Sequence, residues 1–124
     1  MPFYNTATAA AAIGVTTKWL DNLLSHHNID SVPTDVQGVA RRLSISTITV
    51  LSLAKELIDA MQLTVPAALR LAEQLLENPS GEIVVSPRLR INVQTETLRA
   101  TVLSRLAHAV EVAPAPRRGR PPKR

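Results

Sequence analysis

No cysteine occurs anywhere in the 124 residues, which excludes disulfides, thiolate metal sites and cysteine nucleophiles together. Aromatic residues make up only 2%, against 45% hydrophobic residues in all, so any core must be built from Ala, Leu, Val and Ile. No apolar run approaches the roughly 20 residues that a membrane-spanning helix needs. The first residues lack the basic start and apolar centre of a secretory signal, so the expectation is a soluble, cytoplasmic protein with no membrane contact. Glycine-rich phosphate loops, paired catalytic carboxylates and a Ser-His-Asp order are missing too, and no enzymatic activity is expected. His26 and His27 are neighbours, so on a helix their side chains diverge by about 100°. His108 is far away in sequence, and neither a metal nor a cofactor is expected.

Acidic residues are absent from one stretch in particular. Residues 113–124 hold five of the 14 basic side chains (Arg117, Arg118, Arg120, Lys123, Arg124) and no acid. The remaining 112 residues carry nine basic and ten acidic side chains, a net charge of −1. Cationic character is thus gathered in a tail, which suits contact with an acidic polymer.

What is present begins with TATAAAAIGVTTKWLDNLLS, from Thr6 to Ser25. The pattern predicts two short helices joined at Gly14. Thr6 can cap the first, and the alanine run has strong helix propensity. Gly14 supplies the left-handed turn residue that glycine adopts without steric cost. Val15 plugs the corner and Thr16 can cap the second helix. On that helix Leu20, Leu23 and Leu24 share one face, while Thr17, Lys18, Asp21, Asn22 and Ser25 project outward. This is the arithmetic of a helix-turn-helix whose second helix can enter a major groove with Thr16, Thr17, Lys18, Asp21, Asn22 and Ser25, with an ordinary helical hairpin inside a core as the alternative. Trp19 is expected to pack in the core or on a neighbouring hairpin.

The following segment, IDSVPTDVQGVARRLS, combines β-branched residues with turn chemistry at Pro33, Asp35 and Gly38, and predicts a hairpin. Placed after a recognition helix it would be a wing, with Arg41 and Arg42 on the returning strand. These arginines either reach phosphates or the minor groove, or simply solvate an edge strand. A third helix is expected from a Ser46 cap to Gln62, with Val50, Leu51, Ala54, Leu57, Ile58 and Met61 as its core stripe. A fourth begins at Thr64 with Pro66 in its first turn and stops at Asn78-Pro79-Ser80-Gly81. Its apolar face is Ala68, Leu69, Ala72, Leu75 and Leu76.

Two segments, AAAAIGVTTKWLDNLL from Ala9 to Leu24 and RRLSISTITVLSLAKEL from Arg41 to Leu57, together resemble the winged-helix domain of MerR-type and excisionase-like DNA-binding proteins. The resemblance covers roughly residues 4–77. It implies dimers on near-palindromic sites, with the second helix in the major groove and the wing alongside. The chain departs from that family in lacking a long coiled-coil helix and a Cys-rich effector pocket, so no small-molecule effector is expected.

From Glu82 the sequence predicts two strands around Ser86-Pro87 and a last helix capped by Thr95. The stripe Leu98, Val102, Leu106 and Val110 on that helix is read as a dimerisation face. Hairpin and helix are too little to stand alone, and must pack either on the winged helix or on a second copy, the second copy being favoured. The chain then ends APAPRRGRPPKR. Pro116 to Lys123 resembles the AT-hook, whose core is Arg-Gly-Arg-Pro. Gly119 lets the backbone lie on the floor of a narrow groove, Arg118 and Arg120 extend along it, and Pro121 and Pro122 hold the strand extended. Arg117, Lys123 and Arg124 add phosphate contacts. A merely solubilising basic tail is the alternative.

The fold class expected is mainly α: a winged helix-turn-helix over residues 1–77, a β-hairpin and helix over 78–112 for dimerisation, and a disordered basic tail over 113–124. The function expected is binding of double-stranded, A·T-rich DNA by a homodimer, as a transcriptional regulator or a nucleoid-associated protein. The alternative is an interaction adaptor, such as an antitoxin or a subunit of a recombination complex.

Overall fold

Side-chain caps set where the helices start. In the computed structural model, which describes residues 3–27 and 42–112, Asn5 rather than Thr6 caps the first helix, α1 (Thr6–Ile13). Its Oδ1 accepts the Thr8 backbone N–H at 2.7 Å. Asn is as strong a cap as any residue, and Thr6 is drawn into the first turn. The same shift occurs at α3 (Ile45–Met61), which is capped by Ser44 and not by Ser46. The Ser44 hydroxyl accepts the Thr47 N–H at 3.2 Å, so the helix starts one residue after it and absorbs Ser46 as an exposed position. Thr64 caps α4 (Val65–Glu77) as expected, accepting from the Ala67 N–H at 3.3 Å with Pro66 in the first turn.

Among the described residues the order is β1 (Phe3–Tyr4), α1, α2 (Thr17–His26), β2 (Leu43–Ser44), α3, α4, β3 (Glu82–Ser86), β4 (Leu89–Asn92) and α5 (Thr95–Val112). The fold is mainly helical, with two small antiparallel two-stranded sheets among the described residues. No helix among the described residues is long and apolar enough to cross a membrane.

Alanine makes α1 the hub. Ala9, Ala10, Ala12 and Ile13 are all buried, and α1 packs at once against α2, α3 and α5. Methyl side chains let three neighbours approach one short helix, which bulkier residues would prevent. α3 is likewise covered from several sides. It lies against α4, α5 and α1, and buries Ile48, Leu51, Leu53, Ala54 and Leu57. A single stripe is therefore the wrong description of α3: Val50 and Ile58 are half-buried and Met61 is exposed, while Thr47 and Thr49 are inside. The Thr49 hydroxyl is satisfied by donating to the Ile45 carbonyl at 2.8 Å, which makes its burial tolerable. α4 follows its expected face, with Ala68, Leu69, Ala72 and Leu75 buried and Leu76 half-buried.

Two expectations are corrected by the packing. The stripe on α5, read from sequence as a dimerisation face, finds its cover within the chain. Val102 and Leu106, 2% and 1% exposed, join the same core as α1 and α3. Leu98 is half-buried against that core, and the stripe continues to Ala109. Val110 is 58% exposed. The reason is geometric: positions 102, 106 and 109 follow the helical spacing that meets the alanine surface of α1, and 110 turns away from it. The segment from residue 78 onward thus packs on its own chain, the option the sequence disfavours.

The second correction concerns Leu43 and Ser44, expected on the returning strand of a hairpin. They pair with the N-terminal strand, Phe3 opposite Ser44 and Tyr4 opposite Leu43. Leu43 is fully buried there, and Tyr4 packs on the core beside it. The rest of the expected wing, up to Arg41, lies outside the described residues.

β3 and β4 form the expected hairpin, with Ile83 opposite Ile91 and Val84 opposite Arg90. A register shift between Val84 and Ser86 marks a bulge at Val85. The turn before it is built by Asn78, whose Oδ1 accepts the Ser80 N–H at 3.1 Å while its Nδ2 donates to the Glu82 carbonyl at 2.7 Å.

Candidate nucleic-acid interface

The candidate interface starts from the three-residue connection Gly14-Val15-Thr16 between α1 and α2. Gly14 adopts φ 92°, ψ 32°, and both it and Val15 donate backbone N–H groups to the Ala10 carbonyl, at 2.8 and 3.0 Å. That pair of bonds closes the end of α1 and redirects the chain. A Cβ on Gly14 would meet nothing within 4 Å, so glycine is required here by backbone conformation and not by crowding. Val15 is half-buried against the core. Thr16 then takes the extended conformation of a cap, its hydroxyl accepting the Trp19 N–H at 3.0 Å.

α2 divides sharply by face. Leu20 and Leu23 are buried, and Trp19 and Leu24 are half-buried against the core. Thr16, Thr17, Lys18, Asn22 and Ser25 are exposed, and Asp21 is half-buried. Asp21 and Ser25 each engage a partner, whereas Thr17 and Lys18 open onto solvent at the start of the helix. At the other end His26 Nδ1–H donates to the Asn22 carbonyl at 2.7 Å, and the His27 N–H donates to the Leu23 carbonyl at 3.0 Å. The histidines thus finish the helix; among the described residues no group of three potential metal ligands comes together.

Of the two arginines assigned to a wing, Arg42 is exposed immediately before β2, and Arg41 lies outside the described residues. So does the AT-hook-like tail, with Arg117, Arg118, Gly119, Arg120, Pro121, Lys123 and Arg124.

Sequence reasoning missed one neighbour of the turn. Because α5 packs along α1, its Ser104, Arg105 and His108 come to border Ala11, Ala12 and Gly14, forming a shallow depression with Ala109. Arg105 and His108 are both exposed. Nothing local in the sequence links residues 11–14 to residues 104–109; only the burial of Val102, Leu106 and Ala109 against α1 does so. Compared with known proteins, the chain matches no family model, no curated relative and no solved structure.

Proposed function

We propose that the chain is a DNA-binding protein whose α2 reads base edges in the major groove. The observation carrying this reading is the division of α2 into a buried face, Leu20 and Leu23, and an open face bearing Thr17, Lys18 and Asn22. The left-handed Gly14 and the Thr16 cap set where α2 begins, which suits a helix that would meet base edges with its first residues. Further support comes from the pairing of β1 with β2. It holds Leu43 and Ser44, directly after the exposed Arg42, against the N-terminal strand. The winged helix-turn-helix of MerR-type and excisionase-like proteins remains the architecture this order of elements resembles.

The tail contributes a second reader. Arg118-Gly119-Arg120-Pro121 has the composition for an A·T-rich minor groove. Two weak contacts joined by a short linker raise each other's effective concentration. The chain would then act in the cytoplasm, on the nucleoid, as a regulator or an architectural protein. Selection of duplexes from a random pool, followed by a genome-wide footprint, tests the proposal. Enriched sites containing a short motif beside an A·T-rich flank support it, and the absence of enrichment over the input pool removes it. A few strong footprints would indicate a regulator, and broad A·T-rich coverage an architectural role.

A second reading, an interaction adaptor, is favoured by the apolar residues that residues 82–112 leave exposed: Val84, Val85, Leu89, Leu103 and Val110. A homodimer or a different protein would cover them. Light scattering on the purified chain, and co-purification of a partner in fixed ratio, discriminate the two.

A further inference from the structure

The shallow depression where α5 meets the helix-turn is lined, among the described residues, by α1, the turn and α5, with no residue of α2. Its volume is about 630 Å³, and it is lined by Ala11, Ala12 and Gly14 on one side and by Ser104, Arg105, His108 and Ala109 on the other. Among the described residues no acidic side chain lines it. We infer that it seats a backbone phosphate of the duplex that α2 reads, with Arg105 as the principal anion-binding group and Ser104 and His108 beside it. The inference rests on the DNA-binding reading and adds to it a contact made by the last helix.

Three observations carry it. First, the wall facing the cations is bare: Ala11 and Gly14 are exposed and present at most a methyl group, so a phosphate can approach Arg105 without displacing a side chain. Second, Arg105 has no ion-pair partner among the described residues. It also borders the groove between α3 and α5 where Glu56 and Asp59 stand, but it pairs with neither, and Asp59 is engaged by Lys55. Third, the location suits the docking geometry. When the start of a recognition helix contacts base edges, the helix before it crosses the sugar–phosphate backbone. Gly14, part of the lining, lies three residues ahead of Thr17, so the depression adjoins the start of α2, next to the helix that would cross this backbone. Guanidinium is the group best shaped to grip phosphate oxygens, and it is only weakly hydrated.

The test compares the full chain with its Arg105→Gln and Arg105→Lys variants on a duplex taken from the selection experiment, across a range of salt concentrations. Arg105 is exposed, so neither change should disturb folding, and circular dichroism melts check that. Each phosphate contact contributes about 0.9 to the slope of log affinity against log salt. Arg105→Gln should lower the slope by about that amount, leave the preferred sequence unchanged, and abolish ethylation interference at one phosphate. Arg105→Lys should retain the slope. An unchanged slope and an unchanged interference pattern in Arg105→Gln, on a duplex the wild type binds, would overturn the inference and leave the DNA-binding reading standing. Failure of the wild-type chain to bind any duplex would remove that reading, and this phosphate site with it.

Discussion

The Val93 backbone N–H donates to the Gly81 carbonyl at 2.8 Å, and a Cβ placed on Gly81 would stand 2.6 Å from the Val93 carbonyl oxygen. Gly81 also has φ +69° and would bring the same Cβ to 2.9 Å from the Thr95 side chain. Left-handed backbone alone costs a residue with a side chain about 1–2 kcal/mol. Here the nearest obstacle is backbone and cannot rotate away. Gly81→Ala should therefore destabilise the fold by more than about 2 kcal/mol and loosen the link between α4 and the β3–β4 hairpin. Chemical denaturation measures the loss; a midpoint equal to wild type would contradict this account.

Leu106 and Val110 should behave oppositely although they are one helical turn apart. Leu106→Ala removes a fully buried side chain from the surface shared by α1 and α5 and should cost about 2–5 kcal/mol. Leu106→Glu should leave the chain largely unfolded. Val110→Glu, on the exposed side, should fall within about 0.5 kcal/mol of wild type. If copies associate through the outward face of α5, that second variant is the one that should give folded monomers by light scattering.

On α2, replacing Thr17 and Asn22 together by Ala should flatten sequence preference by about 1–3 kcal/mol for every base edge no longer read. Both side chains are exposed, so thermal unfolding should be nearly unchanged. A double variant that still prefers the selected site over random duplex would mean that the reading face lies elsewhere.

The tail makes a separate prediction. Removing residues 113–124 takes away five cations and should reduce the salt slope by as much as ~4.5. Replacing Arg118 and Arg120 by Lys keeps the charge but substitutes a strongly hydrated ammonium for guanidinium. Preference for A·T-rich over G·C-rich flanks should collapse in that variant while non-specific binding survives. Unchanged A·T preference would reduce the tail to an electrostatic handle.

The fold is legible in the sequence where the physics is local. The Gly14 turn, the Thr16 and Thr64 caps, the apolar face of α4 and the β3–β4 hairpin each depend on residues within a few positions of one another. Caps one or two positions apart are harder to place. Asn5 competes with Thr6 and Ser44 with Ser46, and only the hydrogen-bond geometry decides. What escapes the sequence is long-range. Phe3 and Tyr4 find Leu43 and Ser44 across some forty residues, and α5 finds α1 across more than eighty. A stripe such as Leu98, Val102 and Leu106 announces that it must be covered without saying by what. Arg105 is visible in the sequence only as a flank of that helix, because its relation to Gly14 exists solely through the packing of α5 on α1.

That packing also sets the order in which the chain can become complete. Residues 6–13 are synthesised early, yet a large part of the surface they bury is supplied by residues 95–112. Until α5 has left the ribosome, the part of α1 that packs on it stays uncovered. A chain interrupted after α4 would carry every α2 residue proposed to read bases but not the helix that holds them in position. The α1–α5 pairing is among the most distant in the chain, so closing it is the step expected to limit the folding rate. The surface shared by α1 and α5 would thus be assembled only in molecules whose synthesis has reached residues 95–112.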